Sequence, residues 1–166
     1  MTDHDDSEVV LKQMAQRVRQ LEDVAELTTL IAAYGHAADA GAAEAVAEFW
    51  SDDGVFEVQS GGRWVGRDAI AEVYRGTEHR QLIEHGCGHV MAPPQVEVDG
   101  DSARAWNHSM FVRFDPGSDR FEVRRLAANE WQFVRQPEGW RIVSRINRLL
   151  DGSADARRLF ENAARY

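Results

Sequence analysis

Three turn sequences in the second half of the chain constrain the fold more than any other feature. They combine residues that tight turns favour, and they are Asp99-Gly100-Asp101, Asp115-Pro116-Gly117-Ser118 and Gln136-Pro137-Glu138-Gly139. The segments between them, residues 96–98, 103–114, 121–135 and 140–149, have strand character. Because each turn joins consecutive strands, we expect an antiparallel sheet after about residue 85.

The first half of the chain carries helical patterns. Apolar residues recur at three- and four-residue steps, at Leu21, Val24, Leu27, Ile31, Tyr34 and Ala38, which predicts a helix that ends before Gly41. We also expect a helix over 42–50, a hairpin of strands 55–59 and 63–65, a short helix starting near Asp68 and a terminal helix after Ser153. Helices followed by a meander of long strands indicate the α+β class.

Composition narrows the function classes. The 166 residues fit one domain, which we divide into a helical arm over 1–20, an α+β domain over 21–152 and a terminal helix over 153–166. The net charge of −9 comes without a Lys/Arg run, so no nucleic-acid partner is expected. Membrane-length apolar stretches and a signal-peptide pattern are missing from the sequence, and we expect a cytoplasmic protein without a membrane partner.

The histidines raise the question of a metal centre. His85 and His89 lie four residues apart but are separated by Gly-Cys-Gly, without the glutamate of an HExxH helix. Cys87 is the only cysteine, so neither an internal disulfide nor a cysteine-based zinc site is expected. We predict no metal and no cofactor, and we assign His89 to acid–base chemistry.

A histidine that moves protons needs a carboxylate to fix its tautomer and stabilise its charged form. Asp39 is a candidate because its charge opposes the dipole at the end of the first helix. A solvated aspartate that begins a turn is the alternative. Tyr34 lies on the apolar stripe of the same helix, either as a core aromatic or as a hydroxyl that donates to a substrate oxygen.

The last strand offers an arginine for substrate binding. Strict alternation places Arg141 and Arg145 on one side and Ile142, Ile146 and Arg148 on the other. An arginine beside the isoleucines would reach into a pocket and hold an anionic or carbonyl group. A salt bridge at the rim of the pocket is the alternative.

Six separated motifs along the chain match a known family in order and spacing. They are Leu27-x-x-Leu30-Ile31-x-x-Tyr34-x-x-Ala37-x-Asp39, Phe49-Trp50-Ser51-Asp52-Asp53-Gly54, Gly62-x-x-x-Gly66-Arg67-x-x-Ile70, Gly88-His89, Val98-Asp99-Gly100-Asp101-x-Ala103 and Glu138-Gly139-Trp140-Arg141-Ile142. The chain thereby resembles SnoaL-like proteins of the nuclear transport factor two-like superfamily from about Leu21 to Gly152. The resemblance implies a cone, in which a curved antiparallel sheet wraps around helices and encloses a deep apolar pocket.

The resemblance also implies roles for individual residues. Asp39 and His89 match the dyad of the Asp–His dehydratases, which include bile acid 7α-dehydratase, scytalone dehydratase and hexachlorocyclohexane dehydrochlorinase. Tyr34 and Arg148 match further positions of the bile acid enzyme. His89 would then abstract a proton, Asp39 would hold it, Tyr34 would hydrogen-bond an oxygen and Arg148 would orient the substrate.

We therefore predict a cofactor-independent lyase of the dehydratase type, acting on a hydroxylated, ring-containing apolar substrate such as a steroid or polyketide. The expected pocket walls are Phe56, Trp64, Trp106, Asn107, Phe111, Trp131 and Ile146, with Asn107 favoured over His108 by strand phase. The alternatives are a ketosteroid-isomerase-like or polyketide-cyclase reaction with the same dyad, a dioxygenase β subunit, and a non-catalytic ligand-binding or oligomerisation module. An open sheet face and the N-terminal helical arm indicate a homo-oligomer, and the resemblance to the dehydratases favours a trimer over a dimer.

Overall fold

Helices come first along the chain and long strands follow, as expected for the α+β class. The computed structural model describes residues 3–59 and 61–164; residues 1, 2, 60, 165 and 166, which belong to the expected arm, first hairpin turn and terminal helix, lie outside the described residues. The helices are α1 (Asp3–Asp39), α2 (Ala43–Glu48), α3 (Arg67–Arg75), α4 (Thr77–Glu84) and α5 (Ala154–Ala163). The strands are β1 (Trp50–Val58), β2 (Gly62–Val65), β3 (Cys87–Met91), β4 (Gln95–Asp99), β5 (Ser102–Asp115), β6 (Arg120–Gln136) and β7 (Gly139–Leu149).

The strands of the described residues form one open, curved sheet in the order β2-β1-β7-β6-β5-β3, and β4 also pairs with β5. The three hairpins predicted from turn sequences, β4–β5, β5–β6 and β6–β7, are confirmed. The pairing of β1 with β7 is parallel and was not expected. No turn joins these two strands, because α3, α4 and the other strands separate them in the chain, and a long crossover of this kind permits parallel pairing.

The core lies between α1 and the concave face of the sheet. Leu27, Ile31 and Tyr34 on α1 are buried against Trp131 and Trp140 of the sheet. Burial of this apolar face, rather than helix propensity alone, stabilises the second half of α1. No helix in the described part of the chain is both long enough and apolar enough to cross a membrane.

A β-bulge interrupts the regular pairing of β6 with β7. Gln132 pairs with Ser144, but the next residue, Phe133, pairs with Ile142. Val143 is therefore an extra residue in β7. An insertion of one residue moves every later side chain of the strand to the opposite face.

The bulge changes which arginine reaches the core. Ile142 is buried before the bulge, and Arg145 and Asn147 are buried after it. The strict alternation expected for this strand, which placed Ile146 and Arg148 together with Ile142 on the pocket side, is therefore wrong.

Candidate active site

A cavity of about 300 Å³ opens between the concave face of the sheet and helices α3 and α4. Its lining is mostly apolar and includes Phe56, Trp64 and Phe111, which were expected as wall residues. His89 on β3 and Arg145 on β7 also line it. An apolar cavity with a few convergent polar groups is the usual form of a small-molecule site.

Asp39, the last residue of α1, holds His89 of β3 through three hydrogen bonds. The backbone N–H of His89 donates to both carboxylate oxygens at 2.9 Å, and the imidazole Nδ1 lies 2.6 Å from Oδ1. A carboxylate accepts hydrogen bonds, so Nδ1 carries the proton and Nε2 is left with its lone pair. Asp39 is therefore not a merely solvated turn residue.

Gly35, which has no side chain, lets α1 approach β3 closely enough for this contact. A Cβ atom at Gly35 would lie 2.7 Å from the carbonyl oxygen of His89 and 3.2 Å from Cγ of Met91. Real Cβ atoms do not come so close to backbone, since the contact is well inside van der Waals separation. Glycine at position 35, one turn before Asp39, thus sets the distance between the two elements.

Burial controls the protonation of His89. Desolvation lowers the pKa of His89 from its ordinary value of 6.5, and the hydrogen bond and the charge of Asp39 raise it by a smaller amount. The ring of Phe111, with its centroid 5.0 Å away, belongs to this apolar environment. His89 is consequently a neutral imidazole at neutral pH, with a base at Nε2.

A second histidine lies beside the dyad. The ring of His79 on α4 is 5.6 Å from that of His89, and its Nε2 lies 2.9 Å from the carbonyl oxygen of Ala38. It is buried and lines the cavity. Sequence reasoning missed both His79 and α4, because a helix of eight residues is too short for its periodicity to be distinctive.

Arg145 brings a buried positive charge to the cavity. Its Nε and Nη2 donate to Oδ1 of Asn129 at 3.1 and 3.0 Å. Its guanidinium carbon lies 4.3 Å from the ring centroid of Trp131, with Tyr34 and Phe56 at 5.0 and 5.1 Å. In the described part of the chain no carboxylate pairs with Arg145. Aromatic faces and an amide partly stabilise the cation, and it remains available to an anionic oxygen in the cavity.

Tyr34 does not line the cavity, although the sequence suggested that it contacts the substrate. It is fully buried, with its hydroxyl oxygen 2.6 Å from that of Tyr74 on α3, and Tyr74 lines the cavity. Burial raises the pKa of Tyr74 well above its ordinary value. Tyr74 therefore keeps its proton at neutral pH, and its hydroxyl group is hydrogen-bonded to that of Tyr34.

Three other expected site residues lie outside the lining of the cavity. Arg148 forms an ion pair with Glu57. A salt bridge of this kind was the alternative to a role in substrate binding. Trp106 donates its Nε1–H to Glu130 at 3.0 Å. Ile146 lies on the same face of β7 as Arg148. Their predicted roles in the pocket are wrong, in the cases of Arg148 and Ile146 because of the bulge at Val143.

Asn107 and Trp131 form a layer beneath the cavity. Trp131 donates its Nε1–H to Oδ1 of Asn107 at 2.9 Å, and Nδ2 of Asn107 donates to the carbonyl oxygen of Ala92 at 2.9 Å. Both side chains are buried, and neither lines the cavity, so their expected place in its wall is wrong. Asn107 does point inward as strand phase suggested, while the ring of His108 contacts that of Phe160 on α5.

The dyad also contributes to a small cluster of metal-ligand types. Donor atoms of Asp39, Cys87 and His89 lie within 4.8 Å of one another. Both oxygens of Asp39 already accept hydrogen bonds from His89. Burial raises the pKa of the Cys87 thiol, which disfavours the thiolate that binds metals. The arrangement is that of a hydrogen-bonded pair beside a neutral thiol.

Comparison with known proteins agrees with the geometry. Residues 19–146 match the model of a family described as a SnoaL-like domain. The chain belongs to this family. The resemblance stated from sequence motifs is thereby confirmed. No curated protein matches the chain.

Solved structures of related proteins share the SnoaL-like fold. An NTF2-like protein with a cystatin-like fold from Novosphingobium aromaticivorans is 47% identical, with 90% of this chain and 96% of that chain covered and a TM-score of 0.86. A variant of a Mycobacterium tuberculosis protein of unknown function is 22% identical, with coverages of 84% and 78% and a TM-score of 0.72. A Catenulispora acidiphila protein in complex with S-DNPA is 21% identical, with coverages of 75% and 91% and a TM-score of 0.65. The last two show the fold alone.

The close approach at Gly35 gives a testable consequence. Alanine normally stabilises a helix interior by about 1 kcal/mol relative to glycine. In Gly35→Ala we expect instead a loss of roughly 1–3 kcal/mol in the free energy of unfolding, because the new methyl group forces α1 away from β3. Urea denaturation measures the change. The control is Ala32→Gly, at an exposed position of α1, which measures how much a glycine destabilises this helix. A gain in stability for Gly35→Ala would contradict the close packing.

Proposed function

We propose that this SnoaL-like protein is a cofactor-independent lyase, which removes water by β-elimination from a hydroxylated, ring-containing apolar substrate such as a steroid or polyketide. The observation that carries the proposal is the Asp39–His89 pair, with Nδ1–H bound to the carboxylate and a neutral Nε2 left in an apolar cavity. The family includes enzymes such as polyketide cyclases and isomerases. A base in an apolar site is the apparatus that such chemistry requires.

His89 would act first, as the general base. Its Nε2 takes a proton from the carbon next to a carbonyl group, and the electron pair of the broken C–H bond moves onto the carbonyl oxygen. The imidazolium that forms is stabilised by Asp39, which already accepts its Nδ1–H. An orienting carboxylate of this kind also keeps the reactive nitrogen in the correct tautomer.

Arg145 and Tyr74 would stabilise the negative oxygen. Both line the cavity that His89 lines, and each has a donor without a carboxylate partner in the described residues. The positive charge of Arg145 is buried, so its interaction with an anion is weakly screened. Return of the electron pair then forms the C=C bond and expels the hydroxyl group, which takes the proton from Nε2 of His89 and leaves as water.

The lining defines the class of substrate. Phe56, Trp64 and Phe111 offer aromatic surfaces to a ring system. Asn147 also lines the cavity, and its buried amide oxygen has no hydrogen-bond partner among the described side chains. That oxygen suits a substrate hydroxyl group, which would satisfy an otherwise costly buried acceptor.

An isomerase or cyclase reaction is the second candidate. The placement of Arg145 favours any reaction that passes through an enolate, whichever carbon then receives the proton or forms a bond. Product analysis separates the two, because elimination lowers the mass by one water and isomerisation leaves it unchanged.

Variants of the dyad test the proposal. On a panel of β-hydroxy ketones of steroid and aromatic polyketide type, we expect His89→Ala and Asp39→Asn to reduce kcat/KM by roughly 10²–10⁴-fold, since each disables the base. Circular dichroism and urea denaturation of the same variants check that they fold. Undiminished turnover by folded His89→Ala would exclude the dyad as the catalytic group.

Arg145 and Arg148, which both lie on β7, form a matched pair. Arg145→Met should lower kcat/KM by roughly 10²–10³-fold, because it removes the donor to the developing oxyanion. The variant should still fold, because methionine fills the space between the rings of Tyr34, Phe56 and Trp131. The substitution also leaves no carboxylate without its partner. Arg148→Met should leave kcat/KM within about threefold of wild type, because it removes an ion pair outside the cavity. The reverse order of effects would assign the role to Arg148.

A further inference from the structure

The N-terminal half of α1 exposes an apolar face that nothing in the described part of the fold covers. Residues 7–22 are all exposed, and the exposed fractions of Leu11, Met14, Val18 and Leu21 are 66%, 58%, 52% and 70%. Monomeric proteins rarely leave contiguous apolar side chains in solvent. A lone helix of this length is also only marginally stable in water without tertiary contacts.

The spacing of these residues is that of a coiled coil. Leu11, Met14, Val18, Leu21 and Ala25 follow one another at alternating steps of three and four residues. In heptad terms, Leu11, Val18 and Ala25 occupy a positions, and Met14 and Leu21 occupy d positions. We call these five residues the α1 seam. This repeat is the pattern that two helices use to interlock side chains along a shared axis.

We propose that the α1 seam pairs with the same seam of a second copy of this chain, as a parallel two-stranded coiled coil. A β-branched residue at a with leucine at d, here Val18 and Leu21, favours two strands over three. The pairing is independent of the catalytic proposal, because it uses none of the residues that line the cavity.

The body of the protein lies on the opposite side of α1 from the seam. Asp23, at an f position, accepts hydrogen bonds from Arg135 at 2.7 Å and from Nε1 of Trp140 at 3.3 Å. Leu27 at c and Leu30 at f are buried in the core. Positions f and c face away from the a and d seam, so the contacts of α1 with its own sheet leave the seam free to pair.

Charge complementarity selects the parallel orientation. In a parallel pair, a g residue faces the e residue five positions later in the other helix, which places Arg17 opposite Glu22 twice by symmetry. In the antiparallel alignment, Leu11 of one helix would face Leu21 of the other. Arg17 would then lie near Arg17 of the other helix, and Glu8 near Glu22 of the other helix. Like charges at these positions oppose association.

Sedimentation equilibrium of the full chain tests the proposal. Wild type should populate a dimer as its concentration rises, and Val18→Glu/Leu21→Glu should weaken the association at least tenfold, because it buries charge in the seam. The control is Gln13→Glu/Gln16→Glu, which adds the same charge at exposed positions c and f of the same helix and should dimerise like wild type. Glutamate is a good helix former, so helix loss would not explain the difference.

Four results would overturn the second-copy interface: a wild type that stays monomeric, equal weakening in both variants, no weakening in the seam variant, or a trimeric mass. Monomeric protein that binds phosphatidylcholine–phosphatidylserine vesicles through the seam would assign the seam to a membrane surface instead.

Charge reversal tests whether the two helices are parallel. Arg17→Glu should weaken the dimer by about threefold to tenfold, and Arg17→Glu/Glu22→Arg should restore it. Failure of the double variant to recover would exclude the parallel register.

Discussion

The contact between Asp39 and His89 is the interaction on which the rest of the site depends. It joins the last residue of α1 to β3, and it requires the close approach that Gly35 allows. The same contact fixes the proton on Nδ1 and leaves a lone pair on Nε2, which is the base of the proposed reaction. Burial keeps the imidazole neutral, while the carboxylate stabilises it once it has gained a proton. The contact with Asp39 thus sets the position and the tautomer of His89, and burial sets its protonation state.

In the proposed reaction, Arg145 supplies the second requirement, a positive charge in the cavity that His89 also lines. A buried cation without a carboxylate partner is costly, and here aromatic faces and the amide of Asn129 offset only part of that cost. In the proposed reaction, an anionic oxygen in the cavity would offset the remainder of that cost. The single extra residue Val143 brings Arg145 to this position, since without the bulge the side chain would point to the opposite face.

Much of the fold followed from local sequence signals, and part of the site did not. Turn residues gave the three hairpins, and the Asp39–His89 pairing followed from resemblance to a family. Arg148 was chosen over Arg145 because strict alternation cannot anticipate a bulge, which depends on how β7 pairs with β6. His79 was missed because it lies on α4, a short helix that carries little periodicity. Tyr74 lies on the short helix that was expected after Asp68, but its place in the cavity lining depends on tertiary packing. Tyr34 was found, but its depth in the core depends on neighbours distant in sequence.

The most direct test of this account is ¹⁵N NMR of the His89 imidazole across a pH titration. We predict a proton on Nδ1 and none on Nε2 at neutral pH, and a pKa below 6.5, because burial lowers the pKa more than Asp39 raises it. The base form should then persist at neutral pH and be lost as the pH falls through that pKa. A proton on Nε2, or a charged imidazolium at neutral pH, would contradict the assignment of His89 as the base.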